Sequence, residues 1–219
     1  MTAYVTAACC AIVGFGVAVL LRRWLRTHDY RYEDETDGPL RQHIWVLFAL
    51  PIGVFAVVLE LCTRWPDLLA VAYAVPLVPL AALAAIDLDV HRLPDMLTYP
   101  LVPVALAVAL VASISTGDWY ALIRAVLGGV VLCVAYFVLL LMSRGAAGLG
   151  LGDVKLAAGI GILLGWFSWS AILGGTVAAF LVSGVWAAGL LITRRATRHT
   201  YIAFGPFMVL GTVLALMAS

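Results

Sequence analysis

Residues 156–193 read LAAGIGILLGWFSWSAILGGTVAAFLVSGVWAAGLLIT, thirty-eight positions without an Asp, Glu, Lys or Arg. As a single helix the run would extend roughly 57 Å at about 1.5 Å per residue, almost twice the ~30 Å hydrocarbon core of a bilayer. It therefore reads as two spans. Gly165-Trp166-Phe167-Ser168-Trp169-Ser170 supplies the turn residues and interfacial aromatics for a tight reversal between them.

Outward from this run the same pattern repeats. Residues 1–21, 42–59, 68–86, 96–117, 125–143 and 199–219 are each free of charge and each about one span long. With 64% hydrophobic and 11% charged residues and a mean hydropathy of +1.08, the chain has too little polar surface to cover a water-soluble globule. The expectation is an all-α polytopic membrane protein of about eight transmembrane helices, forming a single transmembrane domain over residues 1–219. Its parts would be a first helix at 1–21, a cytoplasmic loop at 22–41 and a core at 42–219. No repeat of 20 to 50 residues is present, which excludes solenoids and arrays.

The basic residues set an expected orientation, because short cytoplasmic loops hold the excess of Lys and Arg. Odd-numbered connections carry Arg22, Arg23, Arg26, Arg31, Arg41, Arg92, Arg144, Lys155, Arg194, Arg195 and Arg198, whereas even-numbered ones carry Arg64 and Arg124. The N-terminus is then outside and the 22–41 loop cytoplasmic. The first segment has its arginines after the apolar stretch, so it reads as a retained span rather than a cleaved signal. The 22–41 loop interleaves basic residues with Asp29, Glu33, Asp34, Glu35 and Asp37 and reads as a solvated linker. Cys9, Cys10, Cys62 and Cys133 form no Cys-x-x-Cys pattern, so they read as small packing residues rather than metal ligands.

Chemistry must come from the acids. Asp87, Asp89, Asp95 and Asp153 fall on the expected cytoplasmic side, while Asp67 and Asp118 fall opposite, and Glu60 has Arg64 as a plausible partner. Carboxylates beside membrane spans are costly and mark candidate sites. Two held close together cannot both ionise easily. They share a proton, so that one activates water while the other polarises a scissile carbonyl, which is peptide hydrolysis without a metal or a nucleophilic serine.

Asp153 closes the run Gly148-Leu149-Gly150-Leu151-Gly152-Asp153, whose glycines would let the backbone bend and a neighbouring chain approach. The plain alternative is that Asp153 caps a helix, with Lys155 its solvated neighbour. For Asp87 the alternative is an interfacial carboxylate in a short loop, with Asp89 and Arg92 merely solvated. Pro94 and Asp95 read as a turn that starts the next helix with Thr98 just inside it, and His91 as a hydrogen-bonding neighbour. Nucleotide binding by the glycines is disfavoured, since no strand precedes them.

Taken together, Ile86-Asp87-Leu88-Asp89, Leu93-Pro94-Asp95-x-Leu97-Thr98-x-Pro100, Gly150-Leu151-Gly152-Asp153-Val154-Lys155-Leu156-Ala157-Ala158 and Phe204-Gly205-Pro206-Phe207 closely resemble the core of type IV prepilin peptidases, over roughly residues 42–219. The resemblance implies an intramembrane aspartyl protease of the Gly-x-Gly-Asp type with Asp87 and Asp153 as its catalytic pair. Gly150, Gly152, Asp95, Thr98 and Lys155 would have supporting or substrate-binding roles, with no metal and no cofactor. The implied substrates are prepilins or pilin-like proteins, cut just before their hydrophobic helix at the cytoplasmic face of the inner membrane. Lipid is the other expected partner, and no nucleic acid is. Long members carry paired Cys-x-x-Cys motifs after the first helix, associated with N-methylation. The 22–41 loop has no cysteine, which implies a peptidase-only form. The rival readings are a Mg²⁺-dependent lipid-linked phosphotransferase using Asp87, Asp89, Asp95 and Asp153, an ion- or proton-coupled transporter, and a purely structural membrane subunit.

Overall fold

A computed structural model describes residues 1–31, 41–143, 149–193 and 203–219, which are helical apart from short connections. In chain order the helices are α1 Thr2–Leu25, α2 Val46–Arg64, α3 Asp67–Ala74, α4 Leu77–Val90, α5 Asp95–Thr116, α6 Trp119–Ser143, α7 Leu151–Phe167, α8 Trp169–Ile192 and α9 Gly205–Ala218. The all-α membrane architecture read from the apolar runs is present. Among the described residues six stretches are long and apolar enough to cross a bilayer: α1, α2, the α3–α4 pair as Asp67–Val90, α5, α6 and α8.

Six such stretches are fewer than the eight expected spans. The eight apolar segments all fold as helices, but α7 has 17 residues and α9 has 14, both shorter than a usual span. The third segment is one apolar run broken at Val75–Pro76, where proline cannot donate the backbone bond that would continue α3 into α4. The 156–193 run divides within the expected turn. α7 ends at Phe167, and the Ser168 side chain caps α8 by accepting the Ala171 N–H at 3.0 Å.

α7 is the centre of the bundle, packed by α5, α6, α8 and α9. Every residue from Gly159 to Trp166 is buried. Its contact with α6 is made by glycines. A Cβ on Gly161 would run into the Gly128 carbonyl and lie 2.8 Å from Gly129 Cα, so only bare backbone permits this approach. At its C-terminal end, α7 meets Arg124, whose guanidinium donates to the carbonyls of Gly165, Trp166 and Phe167 and so satisfies groups that a helix end leaves open. Trp65 and Phe167 stack around Trp166, and the Trp166 indole donates to Ser113 Oγ at 2.9 Å. Glu60 and Arg64 form the expected pair at 2.5 Å. The four cysteines are free thiols.

One expectation fails at the 22–41 loop. α1 continues through Arg22 and Arg23 to Leu25, and the chain then turns so that Tyr30 is buried, with 5% of its surface exposed. The Arg31 side chain is 4% exposed. A solvated linker does not bury a tyrosine and an arginine; these two dock on α4. Glu33, Asp34, Glu35 and Asp37, together with Gly148, Arg144, Arg194, Arg195 and Arg198, lie outside the described residues.

Candidate active site

Three connections meet at one end of the bundle: the end of α4, the start of α7 and the start of α9. α4 stops because His91 adopts a left-handed conformation (φ 52°, ψ 40°), its N–H closing on the Asp87 carbonyl at 2.9 Å. The chain then passes through Leu93 to Pro94, which caps α5. Leu93 is 7% exposed and lies between two glycines of the other connections. A Cβ on Gly152 would sit 2.7 Å from Leu93 Cβ, and one on Gly205 would sit 3.3 Å from Leu93 Cδ2. The Leu-Pro-Asp, Gly-x-Gly-Asp and Phe-Gly-Pro-Phe segments, far apart in sequence, thus close on one leucine.

Asp87 projects from the last turns of α4 and is 5% exposed. Its Oδ2 accepts the Gly205 N–H at 2.8 Å, one of the open donors at the start of α9. Asp153, 6% exposed, occupies the first turn of α7 and accepts the Gly150 N–H at 2.8 Å, so it does cap its own helix, from the third position rather than the first. Gly205, which holds Asp87, and Gly152, which precedes Asp153, both press on Leu93, so the two carboxylates belong to one junction. Among the described residues neither has a cationic partner. Each carboxylate has one backbone donor, which leaves lone pairs uncommitted in a buried setting.

Asp89 is built in the opposite way. Its side chain is 1% exposed and is held by the Arg31 guanidinium, whose Nη2 lies 2.8 Å from both oxygens, and by the Tyr30 hydroxyl at 2.6 Å. It is neither solvated nor available. Asp95 is 62% exposed and pairs with Lys155 at 2.6 Å, joining the start of α5 to α7, while the Lys155 ammonium also lies 4.4 Å from the centre of the Tyr99 ring. Thr98 is fully buried, its hydroxyl donating to the Pro94 carbonyl at 3.3 Å. Gly152 is required by its contact with Leu93. Gly150 is not required by space, since a Cβ there would have its nearest neighbours at 3.8 Å.

The four acids named in the sequence therefore do not converge as one donor set. Asp87, held by Gly205, and Asp153, next to Gly152, both belong to the segments that close on Leu93, whereas Asp89 turns to Arg31 and Asp95 to Lys155. Among the described residues no group of three His, Cys, Asp or Glu side chains converges to hold a metal.

Two residues near the site were not assigned a role from the sequence. Gly205 was visible as part of Phe-Gly-Pro-Phe, but its N–H contact crosses 118 positions. Tyr136, on α6, is 2% exposed, lies within electrostatic reach of Asp153, and packs its ring 6.2 Å from Phe204. A lone tyrosine in an apolar helix carries no signal that could have found it.

The type IV leader peptidase family model matches residues 74–193, a stretch that includes both Asp87 and Asp153. Similar curated proteins bear the name "Prepilin leader peptidase/N-methyltransferase". The one from Aeromonas hydrophila is 35% identical over 181 residues, covering 76% of this chain and 59% of its own. That of Aeromonas salmonicida (strain A449) is 36% identical over 139 residues, with 63% and 46% covered. The Escherichia coli (strain K12) protein is 38% identical over 136 residues, with 61% and 57% covered. The chain thus spans about half the length of the curated relatives it matches. No solved structure matches it. With the match extending over more than half of the sequence and enclosing the buried carboxylates, this chain belongs to the type IV leader peptidase family.

Proposed function

We propose that this protein is an intramembrane aspartyl endopeptidase that removes the short basic leader from type IV prepilins or pilin-like proteins, with Asp87 and Asp153 as its catalytic pair. The observation that carries the reading is that two buried carboxylates from separate helices lie at one end of the bundle, each held by a single backbone N–H and neither neutralised by a described cation. Burial without neutralisation is expensive unless the two groups share a proton, and that is the state an aspartyl mechanism uses.

In the proposed reaction one carboxylate, carrying the shared proton, donates a hydrogen bond to the scissile carbonyl and makes its carbon electrophilic. The other takes a proton from a water held between them as the oxygen attacks. The tetrahedral intermediate collapses when a proton passes to the leaving nitrogen, and the pair returns to its singly protonated state. No metal or cofactor enters these steps. The Gly205 and Gly150 N–H groups each fix one carboxylate oxygen, leaving the other free to face water and substrate.

The relatives' second printed activity is not part of the proposal, because the 22–41 connection contains no cysteine. We place the protein in the inner membrane, N-terminus outside, with the pair at the cytoplasmic face. Support comes from the Lys and Arg distribution and from Asp87, Asp89, Asp95 and Asp153 all lying at one end of the bundle. The phosphotransferase reading loses two of its four ligands to Arg31 and Lys155.

The test is cleavage of a coexpressed prepilin, followed by the mass of its new N-terminus. Asp87→Asn and Asp153→Asn are each expected to abolish processing while the protein still accumulates in the membrane. Wild-type processing by both variants would sink the reading.

A further inference from the structure

Asp87 and Asp89 are two residues apart on one helix, about 200° around its axis, so they leave α4 on opposite sides. One side meets Gly205 and the other meets the segment that follows α1. That segment is fastened unusually firmly. Arg31 Nη2 lies 2.8 Å from both oxygens of Asp89, Arg31 Nε lies 3.0 Å from Oδ2, and the Tyr30 hydroxyl donates to Oδ2 at 2.6 Å. Arg41, on the far side of residues 32–40, also reaches Asp89, at 3.8 Å. Arg92, just beyond α4, donates to the Tyr30 carbonyl at 2.8 Å. Every one of these contacts falls on residues 89–92, immediately after Asp87.

The direction of the hydrogen bonds follows from proton counting. The Tyr30 hydroxyl has one proton and gives it to Asp89. His43 Nε2 at 3.1 Å and His28 Nδ1 at 3.3 Å must therefore donate to the same oxygen. Burial pushes the Tyr30 hydroxyl well above its ordinary pKa and holds His43 below its own, so the chain from neutral His43 through Tyr30 to Asp89 persists near neutral pH.

This clamp sits where α4 is weakest. The final backbone bond of the helix is the His91 N–H to the Asp87 carbonyl, and the last turn of a helix frays because its carbonyls lack successors. Loss of that turn would carry Asp87 away from the Gly205 N–H. A buried ion pair is an inefficient source of stability, but it fixes a register that apolar packing would leave adjustable.

We infer that Tyr30 and Arg31 are positioning residues of the active site, which act through Asp89 to hold the last turn of α4 and so keep Asp87 on Gly205. The inference rests on the proposed role of Asp87, and the experiment separates the two. Purified protein in lipid nanodiscs would be assayed on a prepilin for kcat, KM and the pH–rate profile. Asp87→Asn, Arg31→Met, Arg31→Lys and Tyr30→Phe would be compared.

Arg31→Met is expected to lower kcat about tenfold to a hundredfold, the scale of an ångström-sized misplacement, with KM within about twofold. It should also shift the pH–rate profile, because the setting of Asp87 changes. Arg31→Lys, which keeps the charge but loses the fork, should recover part of the rate, and Tyr30→Phe should fall between it and wild type. Because Arg31→Met leaves buried Asp89 with, among the described residues, only the Tyr30 hydroxyl and the more distant Arg41, Arg31→Met/Asp89→Leu serves where the single variant does not fold. That double variant should still show reduced kcat and an altered profile. A wild-type profile at wild-type kcat per folded molecule would overturn the inference, as would a raised KM at unchanged kcat, since the segment would then be touching substrate. An inactive Asp87→Asn beside fully active Arg31 variants would defeat only this inference; a fully active Asp87→Asn would defeat the proposed pair itself.

Discussion

The two ends of α7 handle buried polar groups in opposite ways. At the C-terminal end one arginine from α6 supplies the donors for three successive carbonyls, and aromatic rings close around them. At the N-terminal end Asp153 receives one backbone N–H, Asp87 receives another from α9, and their remaining acceptor sites are not neutralised by any described cation. Asp153 at one end and Trp166 at the other are both buried, so burial alone does not separate scaffold from chemistry. The separation lies in what the charged groups do: the Arg124 guanidinium is spent on three backbone carbonyls, whereas Asp87 and Asp153 each keep one oxygen with capacity for a water and a substrate.

The sharpest way to break this contrast is to remove the uncommitted oxygens. Asp87→Asn or Asp153→Asn should reduce prepilin cleavage by about a thousandfold or more, because an amide can neither take the proton from water nor share one. Thermal unfolding in detergent should change little, since each asparagine retains an acceptor for its backbone donor. Both variants cleaving at wild-type rates would show that the open lone pairs are incidental.

Gly205→Ala comes next. The added Cβ would lie 2.9 Å from Asp87 Oδ2 and 3.3 Å from Leu93 Cδ2, so the carboxylate must shift. A kcat loss of about tenfold to a hundredfold is expected, measured per folded molecule. Unchanged kcat would mean that the Gly205 contact does not aim Asp87.

Arg124→Met tests the saturated end. Leaving the α7 carbonyls without their donor should lower stability by about 1–3 kcal/mol while the specific activity of the folded protein stays within twofold of wild type. A specific loss of activity would erase the distinction between the two ends. The smallest effect is expected from Gly150→Ala. With 3.8 Å of clearance and an extended backbone (φ −114°, ψ 169°), it should cost about 0.5–1 kcal/mol, the difference between Gly and Ala at a helix N-cap, and leave cleavage nearly intact in the same assay.

Much of the fold was legible because lipid imposes length and hydropathy on any helix that it touches. That rule does not by itself fix the number of spans. Leu156–Phe167 looks like a span by composition, yet it belongs to a 17-residue helix encased by protein, and hydropathy does not distinguish an acyl chain from a neighbouring helix. Pro76 marked the α3–α4 break, but the uncharged run around it hid the signal. The mixed charges near Tyr30 and Arg31 read as solvated because their partner, Asp89, lies 58 positions beyond Arg31. In the site, Asp87 and Asp153 stood out as acids in an apolar chain. The role of Gly205 emerges only when α4 and α9 are brought together, and a single sequence holds no record of that meeting.

The 118 positions between Asp87 and Gly205 also set a clock. At a synthesis rate of about 5–20 residues per second, the N–H that receives Asp87 is made on the order of ten seconds after the aspartate itself. During that interval the other helices of the bundle can already be in the membrane while the carboxylate still lacks its anchor. Under the proposed mechanism, a nascent chain stays unable to cut its neighbours until α9 arrives, which makes the last of these helices to be translated the step that arms the protease.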